Sequence, residues 1–361
     1  MIPAICRRLQ DIEAPGLPSQ SRSGTVVGID RDPMAKVTLL LFDDQGKITA
    51  VAKVARDARA EPALRNESAA LCRLAGEALL ELRPQVPAPL LLERINGRLV
   101  LVSTVVPGAP LTIRYYTPGH VVDKKRVASD FALAGSWITA LQRETATSTA
   151  TLGEAFERYA VPVVERYRHL IGGSDWEVQV FAALEDDARE YASLEIPTPL
   201  LHGDYAIGNI LVRGGAVAGV VDWELSRGAA LPLLDVLKFA ASYSSFLDRA
   251  QPPHPDGLRG HPGWRAASQQ WPAPAGWTNL TGFMFGFFGD GWYPDLVRRF
   301  VAEHATRLGL PPCILPFLLR AFIVEQATVL DNPTYVRGYR ALLHTVHDTV
   351  TGHAIGPVGA R

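Results

Sequence analysis

The chain has 361 residues, of which 47% are hydrophobic and 20% charged, and its formal net charge is −1. That composition excludes a disordered chain, and the near-zero charge excludes a global field that would recruit nucleic acid or acidic lipid. The length exceeds what one ordinary core needs, so two domains or lobes are expected. Its three cysteines, Cys6, Cys72 and Cys313, are far apart and form no CxxC pair. A structural zinc site or a disulfide framework is therefore not expected, and reduced thiols in the cytoplasm are the simpler reading.

In chain order, residues 1–23 carry scattered Pro, Ser and Arg and are expected to be loosely ordered. The run "MIPAICRRLQDIEAPG" within them lacks the long apolar core of a signal peptide. "GTVVGID", "KVTLLLFD" and "KITAVAKVA" then read as three strands of an antiparallel meander, joined by short turns. Pro62 opens a helix, "PALRNESAALCRLAGEALLELR", with Leu64, Leu71, Leu74 and Leu79 on one approximate stripe. "APLLLERINGRLVLVSTVVPG" predicts a hairpin turning at Asn96-Gly97, the strongest short hairpin signal. Beyond about residue 110 helical patterns dominate, except for 198–224, where Ile210–Val212, Gly214-Gly215 and Val217–Val221 predict a second hairpin. Residues 251–276, rich in Pro, Gly, Trp and His, read as a long loop. The apolar run at 310–324 is interrupted by Arg320 and prolines, which predicts a buried helix rather than a membrane span. The division expected is 1–23, a sheet-bearing lobe over 24–108, and a helical lobe over 109–361 that carries 202–224. Ligands would bind between lobes.

The chemistry concentrates in "HGDYAIGN" at 202–209. Asp204 and Asn209 have the D-x-x-x-x-N spacing of a kinase catalytic loop. There the Asp orients a substrate hydroxyl and accepts its proton, and the Asn offers an amide oxygen to Mg²⁺. Gly203 and Gly208 suit a tight loop. Asp222 ends the following apolar strand, and the hairpin returns it beside Asn209, so an amide and a carboxylate are offered to a hard cation. Taken singly, each Asx residue reads as a turn or a cap. It is their order, joined by an apolar hairpin, that points to a site. His202 is read as bonding to the loop backbone rather than taking part in chemistry.

A phosphoryl-transfer enzyme also needs a cation on the nucleotide phosphates. Lys53 on the third strand and Glu67 on the following helix have the positions of a strand lysine held by a helix glutamate. Taken alone, Lys53 would read as a snorkelling edge residue and Glu67 as a solvated one. Upstream of the 202–222 pattern they read as a functional pair. The turn "DRDPMAK" between the first two strands lacks the expected glycines, which leaves backbone N–H groups of 32–36 and Lys36 to cover phosphate.

The segment "LLHGDYAIGNILVRGGAVAGVVDWELSRGAALPLLDVLKFA" resembles the signature of the aminoglycoside phosphotransferase and choline kinase-like superfamily, over about 40 residues. A weaker resemblance extends through Lys53, Glu67, "LVSTVVPG" and "WITALQRE". It implies a bilobal, protein-kinase-like α+β fold with a small antiparallel-sheet N-lobe carrying one helix and a larger, mainly helical C-lobe. It implies Asp204 as catalytic base, and Asn209 and Asp222 as Mg²⁺ ligands. Lys53 would hold the α/β-phosphates, paired with Glu67. Ser103, Thr104, Val105 and Val106 would form an adenine-binding hinge, and Asp235 would brace the catalytic loop. The implied cofactors are ATP, with GTP as the alternative, and Mg²⁺.

The chain departs from the family in having "LPLLDVLKF" where classical members carry a Gly-Asp-Pro turn, and in lacking an acidic cluster that aligns with an aminoglycoside pocket. A sugar, an aminoglycoside, an amino alcohol or a cell-envelope precursor hydroxyl is therefore an equally compatible partner. No nucleic acid partner and no membrane insertion are expected. "FGFFGDGWYPD", with Asp290, Trp292 and Tyr293, reads either as a sugar-stacking wall or, more simply, as helix-end packing. Two other readings stand beside the kinase. One is a pseudokinase-like nucleotide-binding or scaffold protein without turnover. The other is a metal-dependent hydrolase using His202, Asp204 and Asp222.

Overall fold

A computed structural model describes residues 1–11, 23–29, 36–76, 79, 81–228, 230–245, 247, 261–274, 277–329 and 332–352. The turn expected at 30–35, to cover phosphate, lies outside the described residues, as do 12–22 of the segment expected to be loosely ordered and 251–260 and 275–276 of the expected long loop. The chain is mixed α+β, with an antiparallel sheet near its start and mostly helix beyond, as the sequence predicts.

Contacts divide it into two compact units. The first comprises Met1–Ala109, His202–Asp204 and Asn209–Arg227; the second comprises Pro110–Leu201, Tyr205–Gly208 and Gly228–Arg361. The sequence grouped 202–224 with the helices. The contacts group most of it with the sheet, for reasons that the side chains of 222 and 224 make plain below.

The first unit starts with a helix, α1 (Ile2–Gln10), where the sequence predicted loose order. Ile5, Cys6 and Leu9 are buried on one stripe of it. They join Leu39, Leu41, Ala50, Ala52, Val54, Val100 and Val102 in one core cluster. Strands β1 (Ser23–Ile29), β2 (Lys36–Phe42), β3 (Ile48–Ala55), β4 (Pro89–Ile95) and β5 (Arg98–Thr104) form a sheet in the order β1-β2-β3-β5-β4. Every described pairing in it is antiparallel. Alternation along β3 sends Ala50, Ala52 and Val54 to the face covered by α1, and Lys53 and Ala55 to the other face. Helix α2 (Glu61–Gly76) covers that second face through Leu64, against Ala55, Leu99 and Leu101. The sheet therefore has one dry face and one face on which a strand lysine can meet a helix carboxylate.

In chain order the remaining elements are β6 (Ala109–Pro110), α3 (Leu111–Tyr115), α4 (Lys124–Thr145), β7 (Thr149–Thr151), α5 (Leu152–Ala155), α6 (Val161–Leu170), α7 (Asp175–Glu190), β8 (Glu195–Pro197), β9 (Ile210–Arg213), β10 (Ala216–Val220), α8 (Leu234–Ser244), α9 (Trp264–Gln270), α10 (Asn279–Phe288), α11 (Trp292–Arg307), α12 (Leu315–Val329) and α13 (Pro333–Gly352). Helix α9 lies within the stretch expected to be loop, and the short pair β7–β8 was not foreseen. Helices α4 and α7 begin at real caps. The Asp123 carboxylate accepts from the N–H groups of Lys125 and Arg126, and Ser174 with Glu177 forms a capping box. Pro312–Val329, which takes in α12, is the one stretch among the described residues long and apolar enough to cross a membrane, and 72% of it is buried within the protein. Its Arg320 is buried too, and donates to Asp187 at 2.7 Å.

Candidate active site

The site is built on the hairpin β9–β10 and the two segments that flank it. Val221 N–H donates to the Asn209 carbonyl at 3.0 Å, which fixes Asp222 one residue beyond Asn209 on the returning strand. Asp222 has φ 73°, left-handed backbone in a non-glycine residue. Such a conformation is sparsely populated and persists where the surroundings hold it. Trp223 holds it here: fully buried, its indole N–H donates to the Val220 carbonyl at 3.0 Å.

Gly203 is required by its neighbours. Its φ is +83°, and a Cβ there would come within 2.1 Å of the Leu225 carbonyl oxygen. Gly208 has open space around it and no such constraint. Gly219 admits the close passage of β10: a Cβ would meet Val106 Cγ1 at 2.3 Å and the Gln85 carbonyl at 2.4 Å.

Within the loop, the Asn209 amide nitrogen donates to Asp204 Oδ2 and to the Asp204 carbonyl, both at 2.9 Å. That leaves the amide oxygen as the atom Asn209 can offer a cation. His202 is fully buried. Its Nε2–H donates to the Val221 carbonyl at 3.0 Å, and its Nδ1 accepts the Asp204 N–H at 3.2 Å. Both ring nitrogens thus serve the backbone, as the sequence predicted, and the hydrolase reading loses its histidine ligand. The stretch Tyr205–Gly208 is tied into the helical unit instead. Tyr205 donates to the Ala134 carbonyl at 2.9 Å, and Ile207 N–H donates to Ser242 at 3.3 Å. Burial and the charge of Asp235, itself buried in the first turn of α8, push the Tyr205 phenol up.

The sequence-predicted pair Lys53 and Glu67 meets as an ion pair. Lys53 Nζ also donates to Asp222 Oδ1 at 2.7 Å. Lys36 Nζ reaches the same oxygen at 2.9 Å and pairs as well with Glu224. Burial would lower the Lys53 ammonium, but Asp222 and Glu67 outweigh it and hold the group above its usual value. Burial would raise Asp222, but Lys53 and Lys36 hold it well below the usual carboxylate range. Glu224 is pushed up by burial and then by the charge of Asp222, against the pull of Lys36. Asn66, one residue before Glu67, donates to the carbonyls of Glu224 at 2.6 Å and Ser226 at 2.9 Å. These contacts tie 222–226 to β2, β3 and α2 and explain why the hairpin groups with the sheet.

The residues fit a hard cation. Ligand oxygens of Glu67, Asp222 and Glu224 lie within 4.8 Å of one another. Glu67 Oε2 is buried with no hydrogen-bond partner among the described residues. All the donors are oxygens, the set that Mg²⁺ prefers. Glu224, Asn66 and the carboxylate contacts of Lys36 escaped the sequence reading. The only signal for Glu224 was its place in the D-W-E segment.

The four residues expected to form a hinge run through the end of β5. Ser103 is paired with Val51 and Pro89, and Thr104 N–H donates to the Ala88 carbonyl at 2.9 Å. Val105 and Val106 follow the strand's end. The aromatic segment at 285–295 takes the simpler of its two readings. Tyr293 is fully buried and shares a 2.8 Å hydrogen bond with Ser244, Trp292 packs against His261, and Asp290 is exposed.

Comparison with solved structures supports the fold. The chain is similar to a thermostable mutant of aminoglycoside phosphotransferase APH(4)-Ia. In complex with AMP-PNP and hygromycin B, that protein superposes with a TM-score of 0.57 at 13% identity, covering 98% of this chain and 100% of that one. For its apo form the TM-score is 0.53 at 14% identity, over 93% and 97% of the two chains. For its complex with ADP and hygromycin B it is 0.54 at 13% identity, over 94% and 96%. No curated protein sequence matches this chain. A model of the phosphotransferase enzyme family matches residues 37–275, a span that takes in Lys53, Glu67, Asp204, Asn209, Asp222 and Glu224. With well over half of its length matched and its fold shared, the chain belongs to the phosphotransferase enzyme family, enzymes that transfer phosphate to a hydroxyl group.

Proposed function

We propose that the protein is an ATP-dependent small-molecule O-phosphotransferase. The observation that carries this reading is the convergence on Asp222: a strand lysine, itself paired with a helix glutamate, reaches the carboxylate that follows a D-x-x-x-x-N loop. A structural ion pair has no need of the amide-braced Asp204 two strands away in sequence.

In this reading Lys53, fixed by Glu67, holds the α/β-phosphates, and the backbone of Ser103, Thr104, Val105 and Val106 receives the adenine. Because Ser103 and Thr104 are engaged in the sheet, Val105 and Val106 carry most of that contact. Asp204 accepts the proton of the substrate hydroxyl while its oxygen attacks the γ-phosphorus and the bond to the ADP oxygen breaks. Asn209 keeps the Asp204 carboxylate turned toward that hydroxyl by donating to Oδ2. Asn209 and Asp222 would hold Mg²⁺, whose chemistry there is to neutralise charge on the β- and γ-phosphate oxygens. The acceptor is a small hydroxyl compound such as a sugar, an aminoglycoside or an amino alcohol, and the three cysteines, none in a disulfide, suit the cytoplasm.

The test is a panel of such acceptors incubated with ATP or GTP, with and without Mg²⁺, and read by mass for a phosphorylated product. Product formed with ATP and Mg²⁺ supports the proposal. Nucleotide binding with no product across the panel, together with no slow hydrolysis of ATP, favours the pseudokinase reading.

A further inference from the structure

We propose that Lys36 is a displaceable internal counterion: it occupies the Asp222 and Glu224 carboxylates in the cation-free enzyme and leaves them when a divalent cation binds. The inference rests on the proposed role of Asp222 as a cation ligand.

The placement follows from sheet register. Thr38 on β2 lies opposite Lys53 on β3, and Lys36 opposite Ala55. Lys36, Thr38 and Lys53 therefore share a face, with the two lysines as diagonal neighbours. Both reach one oxygen, Asp222 Oδ1, at 2.9 and 2.7 Å. Two ammonium groups on one carboxylate oxygen repel each other, and burial strengthens the repulsion. The arrangement holds because Glu67 and Glu224 each pair with one lysine.

Charge balance then decides which group leaves. Three carboxylates and two ammonium groups meet here, leaving one net negative charge. A divalent cation added to all five would leave a net positive charge crowded against Asp222. The same cation with Lys36 gone gives neutrality. Lys53 is the poorer candidate to leave, since Glu67, only 3% exposed, would lose its one ionic partner among the described residues. Lys36 is the first residue of its strand and has a long stem with several rotatable bonds. Once released, its ammonium is a free cation beside the nucleotide phosphates. Cation and nucleotide would then be bound in a linked way, the first freeing a ligand for the second.

Mn²⁺, which takes the same oxygen ligands, is the probe, titrated without nucleotide and followed by electron paramagnetic resonance. Lys36→Met removes the competitor and tightens Mn²⁺ binding by on the order of tenfold, equivalent to about 1.4 kcal/mol. Unchanged or weaker binding in Lys36→Met, while Asp222→Asn abolishes it, overturns the inference and leaves the cation site standing. Wild-type affinity in Asp222→Asn instead overturns the proposed ligand role itself. The wild-type chain supplies a readout that needs no variant: lysine acylation mapped by mass spectrometry. Saturating Mg²⁺ raises the labelling of Lys36 several-fold and leaves Lys53 protected. Equal labelling of Lys36 with and without Mg²⁺ overturns the inference.

Discussion

Two carboxylates, one in each compact unit, are held in opposite ways. Glu177, in the helical unit, is fully buried and closed off. Tyr167 donates to it at 2.5 Å, Arg340 donates twice at 2.8 and 3.0 Å, and the Ser174 N–H and hydroxyl add 2.7 and 2.9 Å. Burial pushes its carboxyl up, but these donors outweigh that and lower it. Asp222, in the sheet unit, keeps a third of its side chain exposed, and its partners are two lysines on flexible stems. A carboxylate saturated by a phenol, a serine and a bidentate guanidinium joins α7 to α6 and α13. One left partly open, on left-handed backbone and shared by two lysines, is the one the proposed cation binding asks to exchange partners. On the proposed function, the contrast separates charge that holds a fold from charge that does chemistry.

Removing each carboxylate should therefore give opposite signatures. The largest effect is expected from Asp222→Asn. Phosphate transfer falls on the order of 10²–10³-fold while the melting midpoint falls less than in the Glu177 variant, as steady-state kinetics and calorimetry on one preparation would show. Glu177→Ala should do the reverse. It leaves the Arg340 charge and the Tyr167 hydroxyl short of a partner and costs about 3 kcal/mol of stability, with turnover per folded molecule unchanged. A Glu177 variant that melts like wild type would erase the distinction.

A smaller effect concerns pH. His261 is buried among the rings of Phe285, Trp292 and Tyr293, and burial lowers its imidazole from 6.5 to about 4. The unfolded chain takes up the proton first, so its contribution is complete above about pH 6.5 and is lost as pH falls toward 4. Denaturant unfolding at pH 7 and pH 4.5 should show a drop on the order of 2 kcal/mol that His261→Gln removes. The smallest effect is expected at Arg8→Ala. This guanidinium makes two 2.7 Å bonds to Glu93, but on an exposed surface, and the melting midpoint should stay where it is.

Local signals carried much of this into the sequence. Asn96-Gly97 turned the hairpin where it was read, and alternation along "KITAVAKVA" placed Lys53 on the face that α2 covers. Lys53 with Glu67, and His202 with the backbone, were legible because each sits at a fixed distance from a recognisable element. Helix α1 has its own signal, Ile2, Ile5, Cys6 and Leu9 at helical spacing, but it is short and the Pro and Ser residues that follow it in sequence mask the pattern. Lys36, Asn66 and Glu224 were not legible as a group. Their contacts span 158 to 188 residues of chain and depend on the register of β2 against β3 and on the left-handed backbone at Asp222. No periodicity encodes such a meeting. The aromatic run at 285–295 misleads in the other direction, since a core helix junction and a stacking wall draw on the same residues.

The most direct test of the account is Asp204→Ala, assayed for phosphate transfer from ATP to the acceptor found in the panel, with nucleotide affinity measured on the same sample. The account predicts that transfer falls by on the order of 10²–10⁴-fold while nucleotide binds as in wild type, because Lys53, Glu67 and Asp222 are untouched. Transfer at the wild-type rate would contradict it.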